Sequence, residues 1–268
     1  MLRKGVSYFL RDRYKKYLYR NGSGWSGDYD SWESALMECT GYDDARIPEK
    51  ILDSILKTKG TKGVYERDSS IIEGEPEFAF NALEWIMKCA RQEKIDVIDF
   101  GGSLGSTYFQ LMPYLSDYEV SWNVIEQKHF VSLGKKHLEN DELKFFSNID
   151  EIEKPNEGRI FFSSSTLQYL PEPFMALREL RLSEYEYLVF DRISVLNSER
   201  DRLTVQVVPP SRYKSIYPCW FLSEKKLVQF ISDLGFKLIG SFPALGGKSA
   251  TSEIDLSSSK GFVCRKSG

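Results

Sequence analysis

At 268 residues, 41% of them hydrophobic and 14% aromatic, the chain exceeds a minimal cofactor-binding domain and has ample material for a core. The simplest count is one α/β domain with an added N-terminal region. No run approaches the roughly 18 apolar residues that span a bilayer, and no secretory signal is visible. Cys39, Cys89, Cys219 and Cys264 form no C-x-x-C pair, and His129 and His137 are the only histidines, which argues against zinc or a His-based metal centre and for a reducing, cytoplasmic setting.

The net charge of −3 conceals an asymmetry. Between Leu2 and Arg20 seven basic residues stand against the single acid Asp12, while Val6, Phe9, Leu10, Tyr14, Tyr17 and Leu18 recur at helical spacing. A basic amphipathic helix over 1–20 can lie on an anionic membrane surface, dock a partner or touch nucleic acid. It can equally pack its aromatic face on its own domain. Asn21-Gly22-Ser23-Gly24 reads as a hinge. The expected division is an N-terminal helical and aromatic extension over 1–63 and a cofactor-binding domain over 64–268.

Residues 76–91 predict an amphipathic helix, with Pro76 at its start and Ala79, Ala82, Leu83, Ile86, Met87 and Ala90 on one stripe. Asp96-Val97-Ile98-Asp99-Phe100 then has the β-branched and aromatic character of a strand buried on both faces. It runs into Gly101-Gly102-Ser103-Leu104-Gly105, where glycine permits positive φ and close approach of a ligand. Ser106 or Thr107 is expected near the cap of a following helix, which Pro113 must kink or end. Strand, glycine turn and helix make the first half of a Rossmann-type unit. A dinucleotide fingerprint needs a second glycine where Ser103 stands, so a nicotinamide cofactor is disfavoured.

Trp122-Asn123-Val124-Ile125-Glu126 is a second strand about twenty residues on, ending in a carboxylate at the spacing of a ribose-binding acid. Glu126, followed by Gln127, is the ribose candidate; the alternative is an ordinary exposed glutamate. Residues 159–173 read as a buried strand, a small polar loop containing Ser163 and Ser164, a short turn with Tyr169 and a proline-started helix. Residues 185–192 give another strand, with Asp191 at its carboxyl end and Arg192 beyond. Ligands sit at these carboxyl ends in open α/β sheets. A Ser-capped helix over 221–235 and strands at 236–239 and 260–264 complete the pattern, with a loop expected at 252–259.

The run Asp99-Phe100-Gly101-Gly102-Ser103-Leu104-Gly105, with Glu126, the Ser163-Ser164 loop and the late strands, resembles the class I S-adenosylmethionine-dependent methyltransferases over roughly residues 64–266. The motifs Trp25–Tyr29, Ser31–Ala35, Gly41–Asp43, Tyr65–Asp68 and Tyr217–Phe221 further resemble a family of bacterial methyltransferases found in surface-polysaccharide contexts. The resemblance implies a Rossmann-like, doubly wound, mostly parallel sheet and S-adenosylmethionine as cofactor, with S-adenosylhomocysteine as product. It implies that Asp99, Phe100, Gly101, Gly102, Ser103, Gly105, Glu126, Gln127, Ser163 and Ser164 line the cofactor. Tyr65 and Arg67 would belong to an N-terminal lid, Arg67 meeting the methionine carboxylate or else pairing only with Glu66 or Asp68.

The implied acceptor is a small molecule or a glycan, lipid-linked in one version, touched by Tyr169, Arg192 and Trp220. A hydroxyl acceptor needs a base. Asp191 is the first candidate and His129 the second, the alternative for Asp191 being a pair with Arg192 or a loop cap. Ser163-Ser164-Ser165-Thr166 stands where base methylation of nucleic acid would place D/N-P-P-Y, so no nucleic-acid partner is expected. A cofactor-binding protein without transfer activity is the competing class, and a nicotinamide oxidoreductase the third.

Overall fold

A computed structural model of the chain describes residues 24–40, 46–59, 61, 63–67, 69–74, 79–153, 158–208, 215–248 and 257–268. The basic segment 1–20, Pro76, Asp68 and most of the expected 252–259 loop lie outside them. In chain order the described elements are β1 (Gly24–Tyr29), α1 (Trp32–Leu36), α2 (Arg46–Thr58), β2 (Val64–Arg67), β3 (Ser70–Glu73), α3 (Ala79–Cys89), β4 (Lys94–Phe100), α4 (Ser106–Leu111), β5 (Glu119–Ile125), α5 (Lys128–His137) and β6 (Leu143–Phe146). There follow β7 (Ile160–Ser164), α6 (Pro173–Glu179), β8 (Tyr187–Leu196), β9 (Arg202–Val208), β10 (Ser215–Ser223), α7 (Glu224–Asp233), β11 (Phe236–Lys248) and β12 (Ser257–Lys266).

Strands β6, β5, β4, β7 and β8 lie side by side and parallel, and β12 closes against β8 antiparallel, carrying β11 on its outer edge. Their burial on both faces explains the near-continuous apolar runs. On one face Val97, Trp122 and Val124 pack with Ile55 of α2, Ile86 of α3, Tyr108 of α4 and Phe130 of α5. On the other, Ile98, Phe161 and Phe190 pack with Leu177 of α6 and Leu227 and Ile231 of α7. This is the doubly wound, mostly parallel α/β sheet expected from the sequence.

Local signals explain several boundaries. Ser223 caps α7 by accepting from the Lys226 amide, and Gly235 follows the helix at φ 86°. Helix α4 stops at Leu111 and Pro113 sits in a 3-10 turn, Met112–Tyr114. The cap expected at Ser106 or Thr107 is instead Gly105, whose left-handed φ of 80° suits glycine.

Two features differ from the sequence reading. First, β8 does not end at Asp191; it continues to Leu196 because β12 pairs with it from Tyr187 to Leu196. Second, β1, β9 and β10 form an antiparallel arm that was not expected, so the N-terminal extension contributes a strand as well as helices. The arm joins the main sheet where Leu222 and Ser223 pair with Val195 and Leu196, on the β8 edge that β7 has left at Ser164. Leu203, Val205 and Val207 of β9 pack with Ala35 of α1 and Ile216 of β10 in a core of their own.

Candidate functional site

Two clusters of polar side chains lie at the carboxyl ends of β4, β5 and β7 and at the Asp191–Arg192 stretch in the middle of β8, beside the end of β7. Three residues other than glycine there adopt left-handed φ: Ser103 (56°), Ser165 (58°) and Arg192 (54°). Backbone held in this way costs of order 1–3 kcal/mol each and concentrates at functional sites. Four of the buried side-chain atoms without a partner also lie here: Asp99 Oδ1, Ser103 Oγ, Gln168 Oε1 and Asp191 Oδ1.

The first cluster surrounds the glycine loop. The Gly101 amide bonds to the Ile125 carbonyl at 2.9 Å, tying the loop to the end of β5. A Cβ on Gly101 would overlap Thr166, and one on Gly102 would overlap the Asp99 carboxylate, so both positions require glycine. Asp99 is buried on β4 and accepts from Trp122 Nε1 at 3.0 Å through Oδ2. Burial pushes its carboxyl up to about 7, against the opposing pull of the Trp122 bond and of Arg67.

Glu126 directly follows β5, and its carboxylate accepts from the backbone amides of Gln127 at 2.6 Å and of Ser103. Burial raises its pKa, and those two bonds oppose the rise. A carboxylate has about four acceptor sites, so two remain for hydroxyl donors. Gln127 itself is exposed at the cap of α5. Phe100 is half-buried against the core, its ring 6.2 Å from Phe161, and its carbonyl accepts from the wholly buried Ser163 hydroxyl at 3.0 Å.

The β2–β3 hairpin is fastened over this loop. Glu66 accepts from the Ser106 hydroxyl and from the Ser69 amide at 2.7 Å, and Gln110 Nε2 donates to the Glu66 carbonyl at 2.6 Å. Arg67 donates to Gln110 Oε1, is buried, and acts electrostatically on Asp99. Tyr65 is half-buried on the same strand. Ser106 and Gln110 were missed in the sequence because a helix surface gives no sign of which polar residue will meet a distant hairpin.

The second cluster lies at the end of β7. Ser164 Oγ donates to Asp191 Oδ2 at 2.8 Å and accepts from Arg192 Nε at 3.0 Å, with Arg192 Nε 3.8 Å from the same Asp191 oxygen. Opposite β12 the register shifts here, so Asp191 and Arg192 form a bulge facing Gly261. Bulges re-aim side chains beside active sites. Gln168, also unanticipated, is buried in the Leu167–Tyr169 turn and donates from Nε2 to the Arg192 carbonyl at 3.0 Å and to Ser165 Oγ at 3.1 Å.

The arm packs against the Leu167–Leu170 turn beside this cluster and forms a wall there. Tyr169 donates to Gln206 Oε1 of β9 at 2.9 Å and its ring meets Tyr217 of β10 edge-on at 5.2 Å. Trp220 Nε1 donates to the Leu170 carbonyl at 3.1 Å. Tyr169 thus lies in the Leu167–Leu170 turn and Trp220 borders it, while Arg192 is tied to Ser164 and, through its carbonyl, to Gln168 of that turn. His129 is exposed in the first turn of α5 with its ring against Phe130, whereas Asp191 lies within the β7–β8 cluster. Among the described residues no group of three or more His, Cys, Asp or Glu side chains is placed to hold a metal ion.

No family model matches the chain, and no curated protein sequence matches it significantly. Solved structures resemble its fold. One is an S-adenosylmethionine-dependent methyltransferase from Clostridium acetobutylicum, with 8% identity, 72% of this chain and 92% of that chain covered, and a TM-score of 0.48. A glycopeptide N-methyltransferase complexed with S-adenosylmethionine has 14% identity, covers 81% of this chain and 97% of its own, and scores 0.48. A magnesium protoporphyrin IX methyltransferase from Synechocystis has 11% identity, covers 97% of both chains, and scores 0.47.

Proposed function

We propose that the protein is an S-adenosylmethionine-dependent methyltransferase acting on a hydroxyl of a sugar or surface glycan. The observation that carries the reading is the pairing of a glycine loop roofed over Asp99 with Glu126 at the end of the neighbouring strand. Those residues fit the cofactor. The loop leaves no Cβ in the way, Glu126 keeps acceptor capacity for two ribose hydroxyls, and Arg67 carries the charge that would answer a carboxylate. The missing glycine at Ser103 argues against a dinucleotide.

When bound, S-adenosylmethionine supplies a methyl group on a sulfonium, open to in-line attack. The chain's own contribution is positioning and proton removal. Asp191 accepts the hydroxyl proton through its unpartnered Oδ1, while Ser164 and Arg192 hold Oδ2 in place. Tyr169 and Trp220 on the wall contact the acceptor. Incubation with labelled S-adenosylmethionine and a cell-surface glycan extract should add one methyl group to a sugar, read by mass spectrometry. A panel in which only amines or only peptides gain the label would redirect the acceptor assignment.

One observation favours a second reading, a cofactor-binding protein without transfer. Asp191 is buried and bonded as a structural carboxylate can be. Substitution of Asp191, described below, separates the two.

The basic amphipathic pattern of residues 1–20 supports a peripheral site on the cytoplasmic membrane face, suited to a lipid-linked acceptor. Deleting 1–20 should then reduce binding to anionic vesicles, more so at low salt, and leave cofactor affinity unchanged. Unfolding of the truncated protein would make the segment part of the core.

A further inference from the structure

The Leu167–Tyr169 turn joins the glycine loop to the arm. Thr166, just before it, sits so close to Gly101 that a Cβ there would overlap it, and Gln168 donates to the Arg192 carbonyl at 3.0 Å. Tyr169 then donates to Gln206 Oε1 at 2.9 Å. Gln206 is the middle of a row across the arm. Trp25 of β1 and Tyr217 of β10 stand opposite it in register, which puts the three side chains on one face. The bond from Tyr169 fixes the amide, so that Nε2 turns the other way. Nε2 has no partner among the described residues and is open to solvent, Gln206 being half-buried. The charges nearby are already answered: Asp191 and Arg192 both bond to Ser164, and Arg202, further along β9, donates from Nε to the Gly27 carbonyl at 2.9 Å.

We propose that Gln206 is a specificity-determining residue of an acceptor subsite on the arm, its amide donating to a hydroxyl of an uncharged sugar seated beside the rings of Trp25, Tyr169 and Tyr217. This rests on the reading of the chain as a methyltransferase acting on a sugar, and it narrows that reading to neutral sugars. A sugar ring carries hydroxyls at its edge and apolar C–H groups on its faces. A row of aromatic, amide and aromatic side chains meets both. An acceptor carboxylate or phosphate would lose water here with no unpaired cation among the described residues to answer it. An ammonium would meet the donor end of the amide. The turn that holds Gln206 is also tied to the glycine loop at Thr166 and to the Asp191–Arg192 bulge at Gln168, so the subsite is fastened to the place where transfer is proposed.

The test uses the full chain loaded with S-adenosylhomocysteine and three probes, the methyl glycosides of a neutral hexose, a hexosamine and a hexuronic acid, read by saturation-transfer NMR. The neutral hexoside should bind best. Gln206→Leu keeps the size and removes the donors, and should weaken hexoside binding about fivefold, the loss of one neutral hydrogen bond, with S-adenosylhomocysteine affinity in calorimetry unchanged. Tyr169→Phe keeps the ring and frees the amide to turn, and should give a smaller loss; it decides the matter if the leucine variant no longer binds S-adenosylhomocysteine. A hexoside signal untouched in the variants would overturn the role of Gln206 and leave a sugar acceptor standing. Stronger binding of the hexuronide or the hexosaminide would overturn the neutral class. Loss of S-adenosylhomocysteine binding in both variants would make the row part of the core and overturn the subsite. No binding of any probe would remove the sugar reading, and the subsite with it.

Discussion

On the β4–β5 half of the rim, the groups proposed for the cofactor come mostly from two short stretches, 99–105 and 126–127, with Tyr65 and Arg67 arriving from β2. On the β7–β8 half, Asp191, Ser164, Arg192 and Gln168 are held by bonds between separate strands and turns. The wall beside them is assembled from 24–29, 202–208 and 215–223. The half proposed to meet the cofactor is a local motif whose geometry follows from glycine and strand spacing. The half proposed to meet the acceptor is made by tertiary contacts, which can change while the sheet stays the same.

That comparison breaks most sharply at Asp191. Asp191→Asn keeps the size and lowers the basicity. It should cut turnover, followed as S-adenosylhomocysteine release, by roughly 10²–10⁴-fold with cofactor affinity nearly intact. Equal loss of both would mean that the two halves of the rim are not separable, and normal turnover would remove Asp191 as the base.

Gly102→Val tests the other half. The sequence alone suggests that a branched side chain here would strike the ligand, whereas the structure puts the Asp99 carboxylate in the way first. The loop must therefore move, at a cost of about 1–3 kcal/mol. Binding of S-adenosylhomocysteine should be lost in calorimetry while circular dichroism reports a folded sheet. A folded variant with unchanged affinity would place the cofactor elsewhere.

Glu126→Ala sharpens the picture with a smaller effect. Losing charge-assisted bonds to ribose should weaken S-adenosylhomocysteine binding by about 1.5–3 kcal/mol. An unaltered affinity would mean that Glu126 serves only the Gln127 and Ser103 amides.

Asp99 gives the pH dependence of stability. Its folded carboxyl holds a proton to about 7 and its unfolded one to about 3.8, so between these values the native state binds more protons. Stability should fall as pH rises through that window and level off above it, and Asp99→Asn should remove this part of the slope in denaturant titrations.

The sequence made the parallel sheet legible because strands such as Val97-Ile98 and Phe161-Phe162 are apolar on both faces, with glycine or small polar residues at their ends. Glu126 was legible through its spacing from the glycine turn. The arm was less so, although Leu203-Thr204-Val205-Gln206-Val207 carries the alternation of a strand. Its partners β1 and β10 lie far away in the chain, and pairing over such separations leaves no local mark. The Asp191–Arg192 bulge was hidden for a related reason. It exists because β12 pairs along β8 on both sides of Gly261, and nothing within 187–196 announces the extra residue.

Isothermal titration of the full chain with S-adenosylmethionine, S-adenosylhomocysteine and NAD tests whether the glycine loop and Glu126 hold S-adenosylmethionine, as proposed. Saturable one-to-one binding of the first two is expected, weakened by Glu126→Ala, with none of NAD. Binding of NAD in place of the adenosyl ligands, or binding of S-adenosylmethionine indifferent to both Gly102→Val and Glu126→Ala, would contradict it.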